Sequence, residues 1–316
     1  MVPAPSYAPV DDLAIISCYF NPSRYASKLT NFTRFRKTIV ESGLHLFIIE
    51  CTFSNQAKEL PTAWGAQRTS ARDVMWQKER LLNVLLDRLP SQYLKVAWLD
   101  ADVLFVDPEW AQKTSLALDH DAAVVQPYDV AIRLPPNSEL YDGTGEMYPG
   151  FAATYADFPN CLLHGSYSLH GHTGFAWAAR REVLQGSGFY DACVSGSADH
   201  AMAHAFCGDW ESDCLVQTFG AQTRMLEHFQ AWSERVYPLT RARVGFVPGT
   251  ILHLWHGTMD NRKYYERNLN LINLGFDPYR DVIVDERGCW RWAENAGRLR
   301  AWALRYFDAR HEDLAH

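Results

Sequence analysis

Apolar residues along this chain fall in short unbroken runs, separated by stretches in which they recur at helical spacing. Leu13 to Phe20 is one such run, closed by Asn21-Pro22, and it predicts a core strand followed by a turn. Phe32, Phe35, Ile39 and Val40 then recur with helical period, and Leu44 to Ile49 makes a second run that ends at Glu50. Val74, Lys78, Leu81, Leu82, Leu85, Leu86 and Leu89 mark a long amphipathic helix terminated by Pro90. A third run covers Lys95 to Val106, and a fourth Ala122 to Gln126. This alternation predicts an α/β fold with an open, mostly parallel sheet flanked by helices. Ligands of such sheets sit beyond the carboxyl ends of the strands. That edge gathers Tyr19, Asn21, Glu50 and the acidic residues of the third run as candidate binding groups.

The third run carries Asp100 and Asp102 within otherwise apolar sequence. In extended backbone, residues i and i+2 point to one side, so the two carboxylates are expected to face one spot. About 7 Å apart, at an effective dielectric near 20, they would repel by roughly 2–3 kcal/mol. Desolvation adds to that cost unless a cation, donors or protonation relieves it. A divalent metal at the end of a buried strand is the economical explanation. An Asp serving as a turn or helix cap suits one aspartate better than two.

The second half is less regular. Pro135-Pro136, Gly143, Gly145, Pro149-Gly150 and Pro159 punctuate residues 127–168, which read as a lid or insertion, or as a surface loop packed by its own aromatics. Regular structure is expected again at Gly174 to Leu184, at Ala198 to Cys207 as a helix, and at Val244 to His256. Trp290 to Arg310 reads as a closing amphipathic helix with Trp292, Leu299, Trp302 and Phe307 on or near one face. His253 and His256 lie three apart at the end of an apolar run, and imidazole suits manganese, zinc or iron. Asn261, Arg262, Lys263 and Arg267 follow, either a solvated basic turn or donors to a pyrophosphate. Asp199 opens the predicted helix, as an N-terminal cap or as a general base aimed into the cleft. The glycines of His170-Gly171-His172-Thr173-Gly174 permit close backbone approach to a ligand.

Composition narrows the classes. The chain has 316 residues, enough for a substantial core, with a formal charge of -7 that argues against a broad phosphate-backbone footprint. Its seven cysteines are scattered singly with no Cys-x-x-Cys pair, so neither a disulfide scaffold nor a structural zinc site is expected. Residues 1–9 lack the basic-then-apolar pattern of a secretory signal, and no apolar stretch is long enough to span a bilayer. A cytoplasmic location is therefore the expectation.

Together these segments resemble the metal-dependent nucleotide-sugar glycosyltransferases of the GT-A fold, most closely the β-1,4-galactosyltransferase type. Asp100-Ala101-Asp102 looks like their DxD motif, and Trp76-Gln77-Lys78-Glu79-Arg80-Leu81-Leu82-Asn83 is similar to a segment that precedes it in that family. The resemblance implies Trp76 and Lys78 at the nucleotide, and Asp100 nearer the ribose and sugar. It implies Asp102, His253 and His256 as ligands of a divalent metal, manganese or else magnesium, with His253-Leu254-Trp255-His256 standing where the family has Met-x-x-His. Gly196-Ser197-Ala198-Asp199-His200 stands where the family has Gly-Gly-Glu-Asp-Asp, which implies Asp199 as the catalytic base. Gly174 and Arg262 complete the expected donor site. The chain is then one domain: residues 10–126 as the nucleotide-sugar half, 127–270 as the acceptor and metal half, and 271–316 as a closing segment. The expected activity is transfer of a sugar from a nucleotide-diphosphate donor, with uridine implied only by the resemblance, to an acceptor hydroxyl with inversion.

Departures qualify that likeness. Ala198 replaces the expected Glu, and Ala192, Cys193 and Val194 stand where the family has tryptophans, so the acceptor does not transfer. The acceptor could be a glycan, a small molecule or, less in keeping with the charge, a modified nucleic acid. A sugar-phosphate nucleotidyltransferase would want a glycine-rich loop after the first strand, and Ser17 to Arg24 contains no glycine. A metal-dependent hydrolase leaves Trp76 to Asn83 unexplained, and Ala198 keeps a non-catalytic nucleotide-sugar-binding protein in view.

Overall fold

In the computed structural model, residues 10–54, 56–164 and 169–313 are described. The strands, in chain order, are β1 (Leu13–Phe20), β2 (His45–Phe53), β3 (Gln67–Ala71), β4 (Lys95–Leu99), β5 (Val103–Phe105), β6 (Val124–Gln126) and β7 (Val130–Arg133). They continue with β8 (Glu146–Pro149), β9 (Ala176–Arg180), β10 (Val244–Phe246), β11 (Thr250–His253), β12 (Val282–Val284) and β13 (Trp290–Trp292). Among the described residues they form a seven-stranded sheet in the order β10-β6-β9-β4-β1-β2-β3, a four-stranded sheet β5-β11-β7-β8, and the hairpin β12-β13. The large sheet is parallel except for β9, which runs antiparallel between β4 and β6. This is the mixed, mostly parallel α/β sheet flanked by helices that the sequence predicts.

Burial on both faces explains why the strands read as unbroken apolar runs. On one face, Leu13 and Ile15 of β1 join Phe35 and Ile39 from the helix Ala26–Glu41 and Trp110 and Leu118 from the helix Trp110–Asp119. On the other, Ala14 and Ile16 join Leu81, Leu82 and Leu85 from the helix Lys78–Arg88. Trp98 and Trp177, register partners on β4 and β9, stack with ring centroids 6.5 Å apart inside this second layer. The end of the chain closes onto its beginning. Tyr25 donates to the carbonyls of Phe307 and Asp308, and the Asp313 carboxylate accepts the Ala26 and Ser27 amides at 2.9 and 2.8 Å, serving the helix Ala26–Glu41 as a remote cap.

Several expectations need correction. Lys95 to Val106 is two strands in two sheets, because β4 stops at Leu99 and the chain turns through Asp100-Ala101-Asp102 before re-entering as β5. The Asp100 amide donates to the Phe175 carbonyl at 2.7 Å, and the Asp102 carbonyl accepts the Leu254 amide at 2.8 Å. The backbone is thus handed from one sheet to the other, and the two carboxylates do not share one side of an extended strand. Val244 to His256 divides likewise into β10 and β11, broken at Val247-Pro248-Gly249. Glu50 lies inside β2 rather than at its end. The helix expected from Val74 begins at Lys78, and the closing helix runs only from Gly297 to Asp308, with Trp292 in the β12-β13 hairpin. The irregular-looking residues 127–168, of which 165–168 lie outside the described residues, contain β7, β8 and the helix Phe151–Asp157; β7 pairs with its neighbour β8 and with the remote β11, and strands of four residues are too short for local periodicity to reveal. Among the described residues, no helix is long and apolar enough to cross a membrane.

Leu85 has no exposed surface whereas Leu94 is 63% exposed. Leu85→Ala should lower the unfolding free energy by about 2–5 kcal/mol in urea titrations, and Leu94→Ala should change it by less than about 0.5 kcal/mol. Equal effects would contradict the packing described.

Candidate functional site

The carboxyl ends of β1 and β4 open onto a cavity of about 790 Å³, a size suited to a small-molecule ligand. Because β9 is antiparallel to β4, its first residues lie beside the end of β4, which brings Gly174 and Phe175 to the same mouth. Because β11 is antiparallel to β5, His253 pairs with Val103 and stands next to Asp102. Tyr19, Trp76, Lys78, Asp100, Asp102, Gly174, Asp199, His253, His256 and Arg262 all contribute to the wall. The topology thus assembles residues from chain positions far apart.

The turn sends its two carboxylates to different partners. Asp100 lies 2.6 Å from the Lys78 ammonium, which also donates to Asp199 Oδ2 at 2.9 Å. Lys78 is buried, and its pKa stays well above the ordinary value because Asp100 and Asp199 outweigh the desolvation that lowers it. Asp100 is pushed up to about 6, by burial first and by Asp199 and Asp102 as well, against the pull of Lys78. Asp199 sits in the first turn of the helix Ala198–Phe206, and its side chain accepts from Lys78. Gly174 lies close by. A Cβ there would come within 3.1 Å of the His172 ring and 3.9 Å of Asp199 Oδ2, so a side chain would crowd this corner.

Asp102 faces the histidines. Its Oδ2 lies 2.9 Å from His256 Nε2 and its Oδ1 3.8 Å from His253 Nε2, while the two Nε2 atoms are 3.2 Å apart. Burial pushes the Asp102 carboxyl up, yet His256 and His253, with Arg262, hold it well below the usual carboxylate range. Burial also holds His253 well below the imidazole range, so its ring is neutral and able to ligate. Phe175, at a φ of 78°, stacks on His172 with centroids 3.8 Å apart and lies 4.7 Å from the His253 ring, which fixes the plane of that ring.

This group fits a divalent ion on its own geometry. One donor atom from each of Asp102, His253 and His256 falls within a 4.8 Å cluster, a mixed nitrogen–oxygen set. Asp102 Oδ1 is buried with no hydrogen-bond partner among the described residues. His256 Nε2 faces the acceptor Asp102 and the donor Arg262 Nη2, 2.8 Å away, at once. One ring proton cannot satisfy both contacts; a cation held between Nε2 and the Asp102 carboxylate would satisfy that pair and leave the Arg262 donor free for an anionic ligand.

Beyond the histidines the wall is basic. Lys28, Arg133, Arg262, Arg267 and Arg310 line it, and Glu312 pairs with Arg310 and, at 3.3 Å, with Lys28. The Nε atoms of Arg133, Arg262 and Arg267 are buried without hydrogen-bond partners among the described residues. Gly196, at a φ of 100°, lets Arg267 approach, since a Cβ there would stand 3.1–3.3 Å from the guanidinium. Arg267 Nη2 then donates to Ser197 Oγ at 2.7 Å.

Three expectations are not met in the cavity. Asn21 spends its side chain on the Tyr25 backbone and on Glu59, forming the turn after β1. Glu50 is buried against Arg68 and accepts the Glu59 and Leu60 amides at 2.6 and 3.1 Å. Neither lines the wall. Lys263 is exposed and pairs with Glu266, so the basic segment is only partly turned inward. Conversely, Lys28, Arg133 and Arg310 line the cavity without any local signal in the sequence, since each is a lone cation on an element that looks otherwise ordinary. Trp76 packs edge-on against Phe20, with the Arg310 guanidinium 5.4 Å from its ring centre.

No family model and no curated protein matches the chain. Among solved structures, it is similar to a mutant Drosophila β-1,4-galactosyltransferase 7 in complex with manganese, UDP-Gal and xylobiose, at 14% identity over 60% of this chain and 58% of that one, with a TM-score of 0.30. Glucosyl-3-phosphoglycerate synthase from Mycobacterium tuberculosis, bound to Mn2+, UDP and glucosyl-3-phosphoglycerate, matches at 12% identity over 90% and 88%, with a TM-score of 0.40. A CMP-2-keto-3-deoxy-manno-octonic acid synthetase complexed with CTP matches at 11% identity over 83% and 98%, with a TM-score of 0.36.

Glu79, adjacent to Lys78, is pushed up to about 8, by burial first and against the pull of Lys78. Between the ordinary value of 4.5 and about 8, the folded chain keeps a proton that the unfolded chain releases, so this group lowers stability as pH rises through that window. Glu79→Gln should therefore gain thermal stability relative to the native chain between about pH 5 and pH 8. A melting-temperature difference independent of pH would show that Glu79 is ionised in the fold.

Proposed function

We propose that the protein is a metal-dependent glycosyltransferase, moving a sugar from a nucleoside-diphosphate donor to an acceptor hydroxyl. The observation that carries this reading is the split of charge across one cavity. Asp100 and Asp199, bridged by Lys78, lie on one side; Asp102, two histidines and a set of arginines lie on the other. Excess cation on the second side suits a diphosphate, since arginine matches phosphate oxygens in direction as well as charge. Excess carboxylate on the first side repels phosphate and suits hydroxyl groups, which can donate to Asp100 and Asp199.

Asp102, His253 and His256 are the residues that would hold a divalent ion, with manganese preferred and magnesium the alternative. Bound there, the ion would supply charge stabilisation to a departing diphosphate. Arg262 and Arg267 neutralise the same developing charge from the protein side. As the acceptor oxygen forms its bond to the anomeric carbon, the bond from that carbon to the diphosphate oxygen breaks and nucleoside diphosphate leaves. The acceptor proton passes to Asp199, which Lys78 orients through Oδ2. Asp100 is placed to accept hydroxyl groups of the donor sugar or ribose. A single base across from the leaving group supports inversion at the anomeric carbon. Trp76 and Tyr19 wall the end of the cavity near β1 and suit the nucleoside, for which uridine is our choice.

Two measurements test the reading. In calorimetric titrations with UDP and manganese, Arg262→Ala should weaken binding by roughly 10–100-fold while leaving uridine binding little changed. Asp199→Asn should keep nucleotide affinity within a few-fold, yet slow sugar transfer or donor hydrolysis by at least about 100-fold. A protein that binds no nucleoside diphosphate with or without manganese would sink the proposal; one that binds donor sugar without ever turning it over would be a binding protein.

A further inference from the structure

A second group of metal-ligating side chains lies beside Asp199, with His170 and His200 reaching the cavity wall and His204 and Cys214 behind them. His200 and His204, four residues apart on the helix Ala198–Phe206, project from one face of it. Cys214 enters from the first turn of the helix Asp213–Phe219, and His170 from the segment leading to Gly174. One donor atom from each of the four lies within 4.8 Å of all the others. All four residues are buried, Cys214 and His204 completely. None of them has a role in the transfer reaction proposed above.

We infer that His170, His200, His204 and Cys214 form a second metal site, separate from the Asp102, His253 and His256 group, that takes zinc and ties three segments of the chain together. Three features of the geometry point to zinc. First, the donor set is one thiol and three imidazoles, and zinc favours four-coordinate sites of nitrogen and sulfur. Around tetrahedral zinc, with bonds of about 2.0–2.3 Å, donor atoms stand roughly 3.3–3.8 Å apart. The group as it stands exceeds that spacing by no more than about 1.5 Å, and Cys214 Sγ is already 3.5 Å from His204 Nε2.

Second, the outer contacts set the ring tautomers for ligation. His204 Nδ1 is 2.6 Å from Asp209 Oδ2, a carboxylate–imidazole arrangement that leaves Nε2 with its lone pair turned towards Cys214. His170 Nδ1 is 3.0 Å from the Gly171 carbonyl, to which it can only donate, so its lone pair is on Nε2. Third, the three rings are packed face and edge at centroid separations of 4.6–5.3 Å, too close for more than one to carry charge without strong repulsion. A neutral imidazole keeps one lone pair for ligation. Binding would convert the Cys214 thiol to a thiolate and release its proton to solvent.

Four protein ligands leave no open position, so such a site holds structure rather than performing chemistry. It would anchor the helix that presents Asp199 to the segment that presents Gly171 to Gly174, fixing the corner where acceptor and donor sugar meet.

The test uses the full chain, without a histidine tag, carrying Asp102→Ala and His256→Ala so that the first group cannot bind. Zinc content by mass spectrometry should remain about one per chain, and X-ray absorption at the zinc edge should show one sulfur at about 2.3 Å with nitrogens at about 2.0–2.1 Å. Adding Cys214→Ser should remove the sulfur signal and weaken zinc retention by roughly tenfold or more. Should the double variant not fold, the otherwise unaltered chain loaded with cobalt serves: a thiolate-to-cobalt charge-transfer band that Cys214→Ser abolishes supports the site. Absence of zinc, zinc with only nitrogen and oxygen neighbours, or a cobalt spectrum without the thiolate band overturns it. None of these outcomes depends on nucleotide binding, so the inference can fail while the proposed function stands, and the reverse.

Discussion

The site depends on a conflict between two carboxylates forced into one turn. Asp100 and Asp102 stand on either side of a single alanine, where the chain leaves the large sheet for the small one. Like charges so near each other, beside a buried core, are held only if each finds its own counter-charge. Lys78 takes Asp100, and the pair His253 and His256 with Arg262 takes Asp102. Removing either set of partners would leave an uncompensated buried charge, which costs far more than the pair contributes. An apolar core would have been the simpler construction here. Expensive buried charge lining a cavity is more readily explained by chemistry than by stability.

The same turn shows how far sequence can be read. Charged residues inside an apolar run are visible to inspection, and so are two histidines at the end of another. That they meet is a consequence of β5 pairing with β11, a contact between segments about 150 residues apart that no local pattern encodes. Regular burial decides the spacing of apolar residues in β1, in the helix Ala26–Glu41 and in the body of the helix Lys78–Arg88, and there local periodicity is legible. Where the chain switches sheets, as after Leu99 and after Phe246, each half is too short to announce itself. Glu50 and Asn21 illustrate a different limit. A polar residue near a strand end looks the same in sequence whether it faces a ligand or, as here, satisfies Arg68 or a turn.

Dispersed groups were the hardest to see. Lys28, Arg133 and Arg310 come from three unrelated elements, and only their shared exposure to one cavity gives them meaning. The imidazole and thiol group has the same character. Short Cys-x-x-Cys spacing is a useful sign of zinc because two ligands share one tight turn, and its absence says little when every ligand but a helical pair comes from its own segment. His200 and His204 at helical spacing were the sole local sign, and an i, i+4 histidine pair is weak without its remote partners.

The helix Ala198–Phe206 joins these features into one argument. Its start is set by Gly196 and Ser197, both in left-handed backbone, with Arg267 seated against the first and bonded to the second. Successive residues then face different regions: Asp199 meets Lys78 at the cavity wall, whereas His200 begins the buried imidazole group. A helix of nine residues cannot tilt at one end without moving the other. Whatever holds His200 and His204 therefore also holds Asp199 relative to Lys78 and Asp100. A carboxylate that acts as the base proposed for Asp199 must be placed to within about 0.5 Å, so rigidity of the imidazole group beside it would serve that chemistry directly.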